Sequence, residues 1–438
     1  MSFSFAFALD EQGEAGLAPE EPAVQPVAGA TACASPSTSG AAAGTGRSWT
    51  LDELMDTLPS RISYSALSVP LDAAAPGGSP RAVPIFRRDL FDARFQVLTS
   101  STEHDDDDDD DDVEEGTPRR QGAAAAAAAA QEEQTHVGAA SDLLPGVYEG
   151  GLKTWECSLD LVAALDSLDR ARTEAAGEAW SWLRGCRVLE LGCGTAVPSA
   201  FLLQRLFSLS DAPPQQQHEA RQAEAKATLL HLCDFNAQVL QLVTLPNLLL
   251  AWYFSPASLS YRQTSGSAFE SADLVASSGD IAVSGALRAA FVASLAQQHI
   301  ELRFDSGDWS ALRLEQRYDV VLSSETIYAP RSLATLCETL QRACRATPAP
   351  QEARLCERLR HTSLATGEAF DSPSASAPHA LPAASPTTCL VAAKILYFGV
   401  GGGVRAFEAE LRRRRGWSEV LRETQAGVGR VVLGVGWA

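Results

Sequence analysis

Several features that define large classes of proteins are missing from this chain of 438 residues. None of its nine cysteines belongs to a Cys-x-x-Cys pair, and their spacing is irregular. This argues against a disulfide framework and a zinc site, and favours a reducing, intracellular compartment. No apolar run reaches the ~18 residues of a membrane helix. The first residues lack a basic segment and lead directly into Asp10 and Glu11, so no secretory signal is expected.

Positive charge is also scarce, because 35 lysines and arginines face 55 aspartates and glutamates, for a net charge of -20. A surface this acidic repels phosphate backbones, so direct binding to DNA or RNA is not expected. It suits a basic protein partner, or it serves only to keep the chain soluble. The eight aspartates at 105–112 have the same two interpretations, a solvated linker or a docking tail for a Lys/Arg-rich partner.

Composition divides the chain into two parts. We expect residues 1–141 to be a low-complexity, mostly disordered extension, and residues 142–438 to be the folded domain, with insertions near 212–225, 255–294 and 346–386. Short ordered pieces are still expected in the extension: a strand carrying Phe3, Phe5 and Phe7, a helical turn at 49–55, extended segments at 61–65 and 83–86, and helical spacing at 87–95.

Within the second part, short apolar strands alternate with helical patterns. The expected strands are 187–191, 227–233, 300–304, 318–323, 388–393 and 430–435, the last paired with residues near 417–421. This alternation predicts an α/β fold with a doubly wound, mostly parallel sheet.

A glycine-rich turn follows the first of these strands, in Val188-Leu-Glu-Leu-Gly-Cys-Gly-Thr-Ala196. Gly192 and Gly194 let the backbone approach a ligand closely, at the electropositive start of a helix. The third glycine of the dinucleotide fingerprint is replaced by Val197, which disfavours a nicotinamide or flavin. With Glu190 just ahead of the turn, the segment resembles motif I of the seven-strand methyltransferases, where this loop holds the methionine part of S-adenosylmethionine.

Acidic residues follow the next two strands. Asp234 and Asn236 come after the second strand, where a carboxylate can accept both ribose hydroxyls. Asp308 and Trp309 follow the third, where an acid can receive the adenine amino group and an aromatic ring can stack on the base. The plainer alternatives are a loop aspartate and a core tryptophan.

Two further segments complete the candidate site. Leu322-Ser-Ser-Glu-Thr-Ile-Tyr328 follows the fourth strand, at the edge where open parallel sheets bind ligands. Trp155 and Glu156, just before a helix, could clamp one edge of a cofactor or merely cap the core. The glycines of Lys394-Ile-Leu-Tyr-Phe-Gly-Val-Gly-Gly-Gly403 lack the Lys-Ser/Thr of a phosphate-binding loop, and we interpret them as a tight turn that brings Tyr397 and Phe398 over the site.

Taken together, these motifs are similar to those of the protein-histidine N-methyltransferases of the seven-strand class. The most restrictive matches are Gly146-Val-Tyr-Glu-Gly-Gly151 and Ser324-Glu-Thr-Ile-Tyr328. The resemblance implies the cofactor S-adenosyl-L-methionine, and a substrate histidine in the third protein of the large ribosomal subunit. It also implies that methylation occurs at the ring nitrogen farther from the backbone. Ala196 departs from the pattern, since related loops often have glycine there.

We therefore expect a protein-histidine N-methyltransferase, a Rossmann-like seven-strand enzyme that acts as a monomer in the cytoplasm and nucleus, without a metal. The catalytic candidates are Ser324, Glu325, Thr326 and Tyr328. The cofactor-binding candidates are Trp155, Glu156, Glu190, Gly192, Gly194, Asp234, Asn236, Asp308, Trp309 and Ser323. Two alternatives stay open: a protein-lysine methyltransferase of the same fold, and a non-catalytic module that binds a ribosomal protein.

Overall fold

The computed structural model describes residues 46–72, 79, 81–94, 96, 150–176, 178–209, 226–265, 278–345, 386–397, 402–425 and 427–437. All of them belong to one compact unit, Ala43–Ala438. The predicted strand at Phe3–Phe7, the aspartate run and most of the insertions at 212–225 and 346–386 lie outside the described residues.

Eleven strands form two sheets among the described residues. They are β1 Arg47–Trp49, β2 Arg61–Leu71, β3 Arg81–Arg88, β4 Arg187–Leu191, β5 Thr228–Asp234, β6 Ser278–Ala282, β7 Ile300–Ser306, β8 Val320–Ser324, β9 Thr388–Lys394, β10 Gly416–Thr424 and β11 Arg430–Trp437. All the strands predicted from residue 187 onward are present, with ends within three residues of those expected, and β11 pairs with β10 as predicted.

The main sheet has the order β1-β7-β5-β4-β8-β9-β11-β10. Its five central strands, from β7 to β9, are parallel, whereas β11 enters antiparallel between β9 and β10. Without β1, this is the strand order of the seven-strand, class I methyltransferase fold, which confirms the predicted Rossmann-like α/β class. The difference is an eighth strand, because β1 pairs antiparallel with β7 at the edge of the sheet.

Helices cover both faces of this sheet. The helices described include α1 Leu51–Asp56, α2 Glu156–Ala176, α3 Val197–Ser208, α4 Ala237–Tyr253, α5 Leu259–Thr264, α6 Gly285–Gln297, α7 Pro330–Ala343 and α8 Val404–Arg413. Helices α2, α3 and α4 supply the apolar core of one face, and α7 and α8 that of the other. Because both faces are covered, central strands such as β5 are buried along their whole length rather than on alternate residues.

The N-terminal boundary predicted at residue 142 is wrong for part of the extension. Strand β2 pairs with β3 on one side and with β6 on the other, and this small sheet buries Ile62, Tyr64 and Phe86 against the main core. The local predictions in this region hold, since Thr50 caps α1 and both extended segments are strands. The extension folds because its apolar side chains find partners far along the chain.

The segment 255–294 is likewise not a simple surface insertion in its described part. It contains α5, β6 and most of α6, and β6 completes the small sheet. Phe291 of α6 is fully buried against Trp252. The Ser- and Ala-rich composition of this segment hides these few apolar anchors.

Helix α4 continues through Thr244–Asn247 although it contains a proline. The helix widens to a π-turn at Leu240–Thr244 and continues to Tyr253. Pro246 is accommodated because it lies in the first turn of the α-helical part after the π-turn, where a missing N–H is tolerated.

In the described part of the chain, no single helix is long and apolar enough to cross a membrane. One bent pair, Ala237–Tyr253 with Pro256–Thr264, meets the length and composition criteria only jointly, at an angle of 76°.

Candidate active site at the carboxyl edge of the sheet

The glycine-rich turn after β4 adopts the left-handed backbone that its glycines allow. Gly192 has φ +66, and a Cβ there would lie 2.5 Å from Cγ2 of Thr326 and 3.7 Å from the ring of Trp309. Gly194 has φ +52, and a Cβ there would lie 3.2 Å from the carbonyl oxygen of Gly151. Glycine is therefore favoured at both positions by conformation, and at Gly192 also by lack of space.

Ala196, at φ +50, ends the same turn as the residue before α3. Left-handed backbone is unfavourable for alanine, which explains why glycine is the more suitable residue at this position.

Glu190 lies at the end of β4 and is buried. Its Oε2 accepts hydrogen bonds from the backbone N–H of Ser199 at 3.1 Å and from the Ser199 hydroxyl. The carboxylate thus faces the first turn of α3. Burial raises the pKa of Glu190 to about 8, against the opposing effect of the bonds from Ser199.

Asp234 lies at the end of β5 and holds the glycine turn. Its Oδ2 accepts the N–H of Gly194 at 2.9 Å, and its Oδ1 accepts the N–H of Asn236 at 3.0 Å. The Asn236 amide in turn donates to the carbonyl of Gly150 at 2.8 Å. The contact of Asp234 with the ribose hydroxyls stays a prediction.

Asp308 and Trp309 lie beyond the end of β7. The Asp308 carboxylate accepts from the N–H and hydroxyl of Ser310 and caps a short helical turn, while the Trp309 ring is buried beside Gly192. The N–H of Gly307 donates to the carbonyl of Asp234 at 3.0 Å, which ties this loop to the one after β5. The loops that carry the three predicted acids therefore meet at one edge of the sheet.

The last residue of β8 and the loop after it supply the four catalytic candidates. Ser323 is buried and donates to the carbonyl of Leu191 at 2.9 Å, and its hydroxyl lies 2.7 Å from that of Thr326. Glu325 has φ 56, a strained backbone for a non-glycine residue that the surroundings must enforce. Ser324 has a buried hydroxyl without a hydrogen-bond partner among the described residues.

The Glu325 carboxylate points toward α2 and the end of β9. Its Oε2 accepts from the Tyr397 hydroxyl at 2.6 Å, and its Oε1 lies 3.6 Å from the Lys394 ammonium without a hydrogen bond. Burial, and then the charge of Glu325, raise the pKa of Tyr397, so the phenol stays protonated and donates. The same two causes raise the pKa of the Cys157 thiol, which stays neutral.

Aromatic side chains lie next to the two residues, Tyr397 and Lys394, that contact this carboxylate. The ring of Tyr328 lies 6.4 Å from that of Tyr397, and the Lys394 ammonium lies 4.5 Å from the ring of Trp155. Lys394 also forms an ion pair with Glu156, at 3.8 Å. We call Trp155, Glu156, Glu325, Tyr328, Lys394 and Tyr397 the acceptor pocket.

A buried polar cluster on β5 and β7 has a different explanation. His231, Cys233 and Asp305 have metal-binding atoms within 4.8 Å of one another. However, Nε2 of His231 lies 2.5 Å from Oδ2 of Asp305, which is a hydrogen-bond separation and too short for a cation between them. Nδ1 of the same ring lies 2.6 Å from the Tyr318 hydroxyl, so we assign the cluster to hydrogen bonding.

Sequence comparison finds relatives with a named activity. The chain is 30% identical over 282 residues to histidine protein methyltransferase 1 of Saccharomyces cerevisiae, and 31% identical over 281 residues to the protein of that name from Schizosaccharomyces pombe. A rat homolog is 28% identical over 275 residues. The chain is thus similar in sequence to proteins named histidine protein methyltransferase 1.

The matched regions cover 62% of this chain and about three fifths of the yeast proteins, 59% and 60% of their lengths. No protein-family model matches the chain. Among solved structures, a magnesium protoporphyrin IX methyltransferase from Synechocystis is 12% identical, covering 65% of this chain and 90% of its own, with a TM-score of 0.26. A ribosomal protein L11 methylase from Lactobacillus delbrueckii is 8% identical, covering 66% and 83%, with a TM-score of 0.25. Likeness of this degree carries no functional argument.

The predicted set of residues omitted several that the structure places at the site. The Thr244 hydroxyl donates to the carbonyl of Gly194 at 2.7 Å, and the Asn247 amide donates to that of Thr195 at 2.7 Å. Both side chains come from α4 and hold the glycine turn from behind. Lys394 was also omitted, although the motif around it was noted. A polar residue inside an apolar helical stretch, as at Thr244 and Asn247, was the available signal.

The arrangement fits S-adenosylmethionine. Left-handed glycines bring the backbone of the turn close to any bound group, and the N-terminus of α3 lies directly behind it. Carboxyl groups near the ends of β4 and β5 and after β7 match a ligand that carries an ammonium and hydroxyl groups. Whether each cofactor-binding candidate touches the cofactor stays a prediction.

Proposed function

We propose that this chain is an S-adenosylmethionine-dependent protein methyltransferase that modifies a histidine ring nitrogen. The observation that carries the proposal is the position of Glu325. Its Oε1 is buried among the residues of the acceptor pocket and has no hydrogen bond, and the next residue, Thr326, lies against the glycine turn. The named activity of the yeast relatives supports the same conclusion.

The chemistry needs positioning more than a strong base. S-adenosylmethionine supplies an electrophilic methyl group on a sulfonium. Imidazole has a reference pKa of about 6.5, so much of it is neutral at pH 7, with one ring nitrogen bearing a lone pair and the other a proton. A lysine amine, with a reference pKa of about 10.4, must first lose a proton.

Glu325 is suited to fix the tautomer of that ring. A carboxylate that accepts the N–H of one nitrogen leaves the lone pair on the other nitrogen, which attacks the methyl group. Tyr397 holds the carboxylate from one side, and the Tyr328 ring, 6.4 Å from that of Tyr397, offers an aromatic face for a flat ring. We assign attack to the nitrogen farther from the backbone.

The substrate that we propose is a basic protein of the large ribosomal subunit, the third protein of that particle. The net charge of -20 suits such a partner and disfavours naked RNA. A ribosomal substrate also implies that the enzyme meets it in the cytoplasm or nucleus. We further propose that the enzyme acts as a monomer.

The test is transfer of a labelled methyl group from S-adenosylmethionine to proteins of purified large ribosomal subunits, with the modified residue mapped by mass spectrometry. We expect methylhistidine in one protein, and loss of at least about tenfold in kcat with Glu325→Gln, because the amide cannot serve as a charged acceptor. Methyllysine as the product would replace this proposal with its rival. Cofactor binding without any transfer would favour a non-catalytic module.

A further inference from the structure

The last residue of β9 places a resident ammonium inside the acceptor pocket. Nζ of Lys394 lies 3.6 Å from Glu325 Oε1, 3.8 Å from Glu156 Oε2 and 4.5 Å from the centre of the Trp155 ring. Its side chain is only 18% exposed, and that of Glu325 only 9%. Two carboxylates and an aromatic face are the groups with which proteins bind ammonium ligands.

We propose that Lys394 is a specificity-determining residue, whose ammonium occupies the position that the side chain of a substrate lysine would need. The inference rests on the proposed function and narrows its substrate class. A second ammonium in the pocket would lie close to Lys394 and would compete for the same carboxylates. A neutral imidazole has neither disadvantage, and its ring N–H would supply the hydrogen bond that the buried Glu325 Oε1 lacks.

Lys394 also positions the acceptor. Glu325 is held at Oε2 by Tyr397 and approached at Oε1 by Lys394, so the carboxylate is fixed from two directions while Oε1 keeps no hydrogen bond of its own. The lysine therefore has two separable effects, exclusion of a cationic side chain and orientation of the carboxylate.

The test measures binding rather than turnover, with three forms of one probe. The probe is the third protein of the large ribosomal subunit, carrying its native histidine, lysine or alanine at the position mapped in the methylation experiment. Affinities are measured by fluorescence anisotropy with S-adenosylhomocysteine present, for wild type, Lys394→Met, Lys394→Arg and Lys153→Met.

We expect the wild type to bind the lysine form no better than the alanine form. Lys394→Met should improve the affinity for the lysine form by about tenfold relative to the alanine form, since the vacated carboxylates then bind the substrate ammonium. Lys394→Arg keeps a cation in the pocket and should retain the wild-type ratio. Lys153 contacts the same Trp155 ring from an exposed position, at 4.9 Å, so Lys153→Met is the matched control and should also retain it.

If Lys394 were only structural, Lys394→Met would weaken binding of all three probe forms alike. An unchanged ratio of the affinities for the lysine and alanine forms in Lys394→Met would overturn the inference, but it would not contradict the proposed methylation of histidine. If the wild type methylates no residue of the ribosomal protein, the proposed function fails, and the inference fails with it.

Discussion

At the scale of single residues, the site depends on side chains and backbone torsions that few other residues could supply. Gly192 combines a left-handed φ with a Cβ position only 2.5 Å from Cγ2 of Thr326, and Glu325 adopts a left-handed φ although it is not glycine. A side chain at position 192 would have to displace Thr326, whereas the backbone of Glu325 stores strain at the loop that carries the acceptor carboxylate.

Gly192→Ala should lower the free energy of unfolding by about 2 kcal/mol, because the added methyl group meets Thr326 at 2.5 Å and the backbone is left-handed. Cofactor affinity should fall as well. Urea unfolding and calorimetric titration with S-adenosylhomocysteine measure the two effects. Gly285→Ala, at the start of α6, is the control, since nothing lies within 4 Å of its Cβ position and stability should not fall.

The buried carboxyl of Glu190 should make stability depend on pH. In the folded chain it keeps its proton to a pKa of about 8, whereas in the unfolded chain it loses the proton near 4.5. The unfolded state therefore releases a proton that the folded state retains, so its contribution to the free energy of unfolding falls as pH rises from about 4.5 to 8, by on the order of 4 kcal/mol.

Comparison with Glu190→Gln isolates this effect, because the amide does not titrate. The stability difference between wild type and Glu190→Gln, measured by urea unfolding of the cofactor-free protein, should move against the wild type from pH 5 to pH 8. A difference that is constant over this range would show that Glu190 is ionised in the folded chain.

At the scale of elements, helix α4 supports the glycine turn from behind. Thr244 is the last residue of the π-turn in this helix, and Asn247 lies in the α-helical part that follows. Both side chains donate to carbonyls of the turn. The irregularity of the helix therefore coincides with its functional contact, as is common for π-turns.

Thr244→Val should weaken cofactor binding by about tenfold and lower the free energy of unfolding by about 1–2 kcal/mol, because the buried carbonyl of Gly194 loses this donor at nearly unchanged volume. Isothermal titration with S-adenosylhomocysteine and urea unfolding are the measurements. Thr244→Ser retains the hydroxyl and should bind within about twofold of wild type; equal losses in both variants would assign the effect to packing.

At the scale of the whole molecule, the net charge follows from composition alone, and the fold only determines where the charged side chains lie. The net charge of -20 creates a long-range attraction for a basic substrate, and salt screens it over a Debye length of about 8 Å at physiological ionic strength. Association with a ribosomal protein should therefore be electrostatically steered.

We expect kcat/KM for the ribosomal protein to fall by about tenfold between 50 and 300 mM NaCl, with kcat nearly constant, because salt slows encounter rather than chemistry. Initial rates over this range test the expectation. A short, uncharged histidine peptide should show little dependence, and an equal dependence for both substrates would locate the salt effect in the enzyme itself.

The sequence by itself determined the parallel core of the fold and the motifs at its edge. Strands such as Arg187–Leu191 are identified by their own apolar runs, and the turn at Gly192 and Gly194 by adjacent residues, because neighbours along the chain carry both signals. Net charge and composition are properties of the sequence that do not depend on the structure. These features led to the correct fold class and to Glu190, Asp234 and Glu325 as candidates.

Only the tertiary structure decided which distant segments complete the fold and the site. Strand β1 joins the sheet across more than 250 residues, with Trp49 donating to Ser306, and β2 pairs with β6 in a segment that looked like an insertion. Lys394 meets Glu325 and Trp155 only once β9, β8 and α2 pack together. Such contacts leave no periodicity in the sequence, because their free energy comes from burial and charge between residues that are neighbours in space alone.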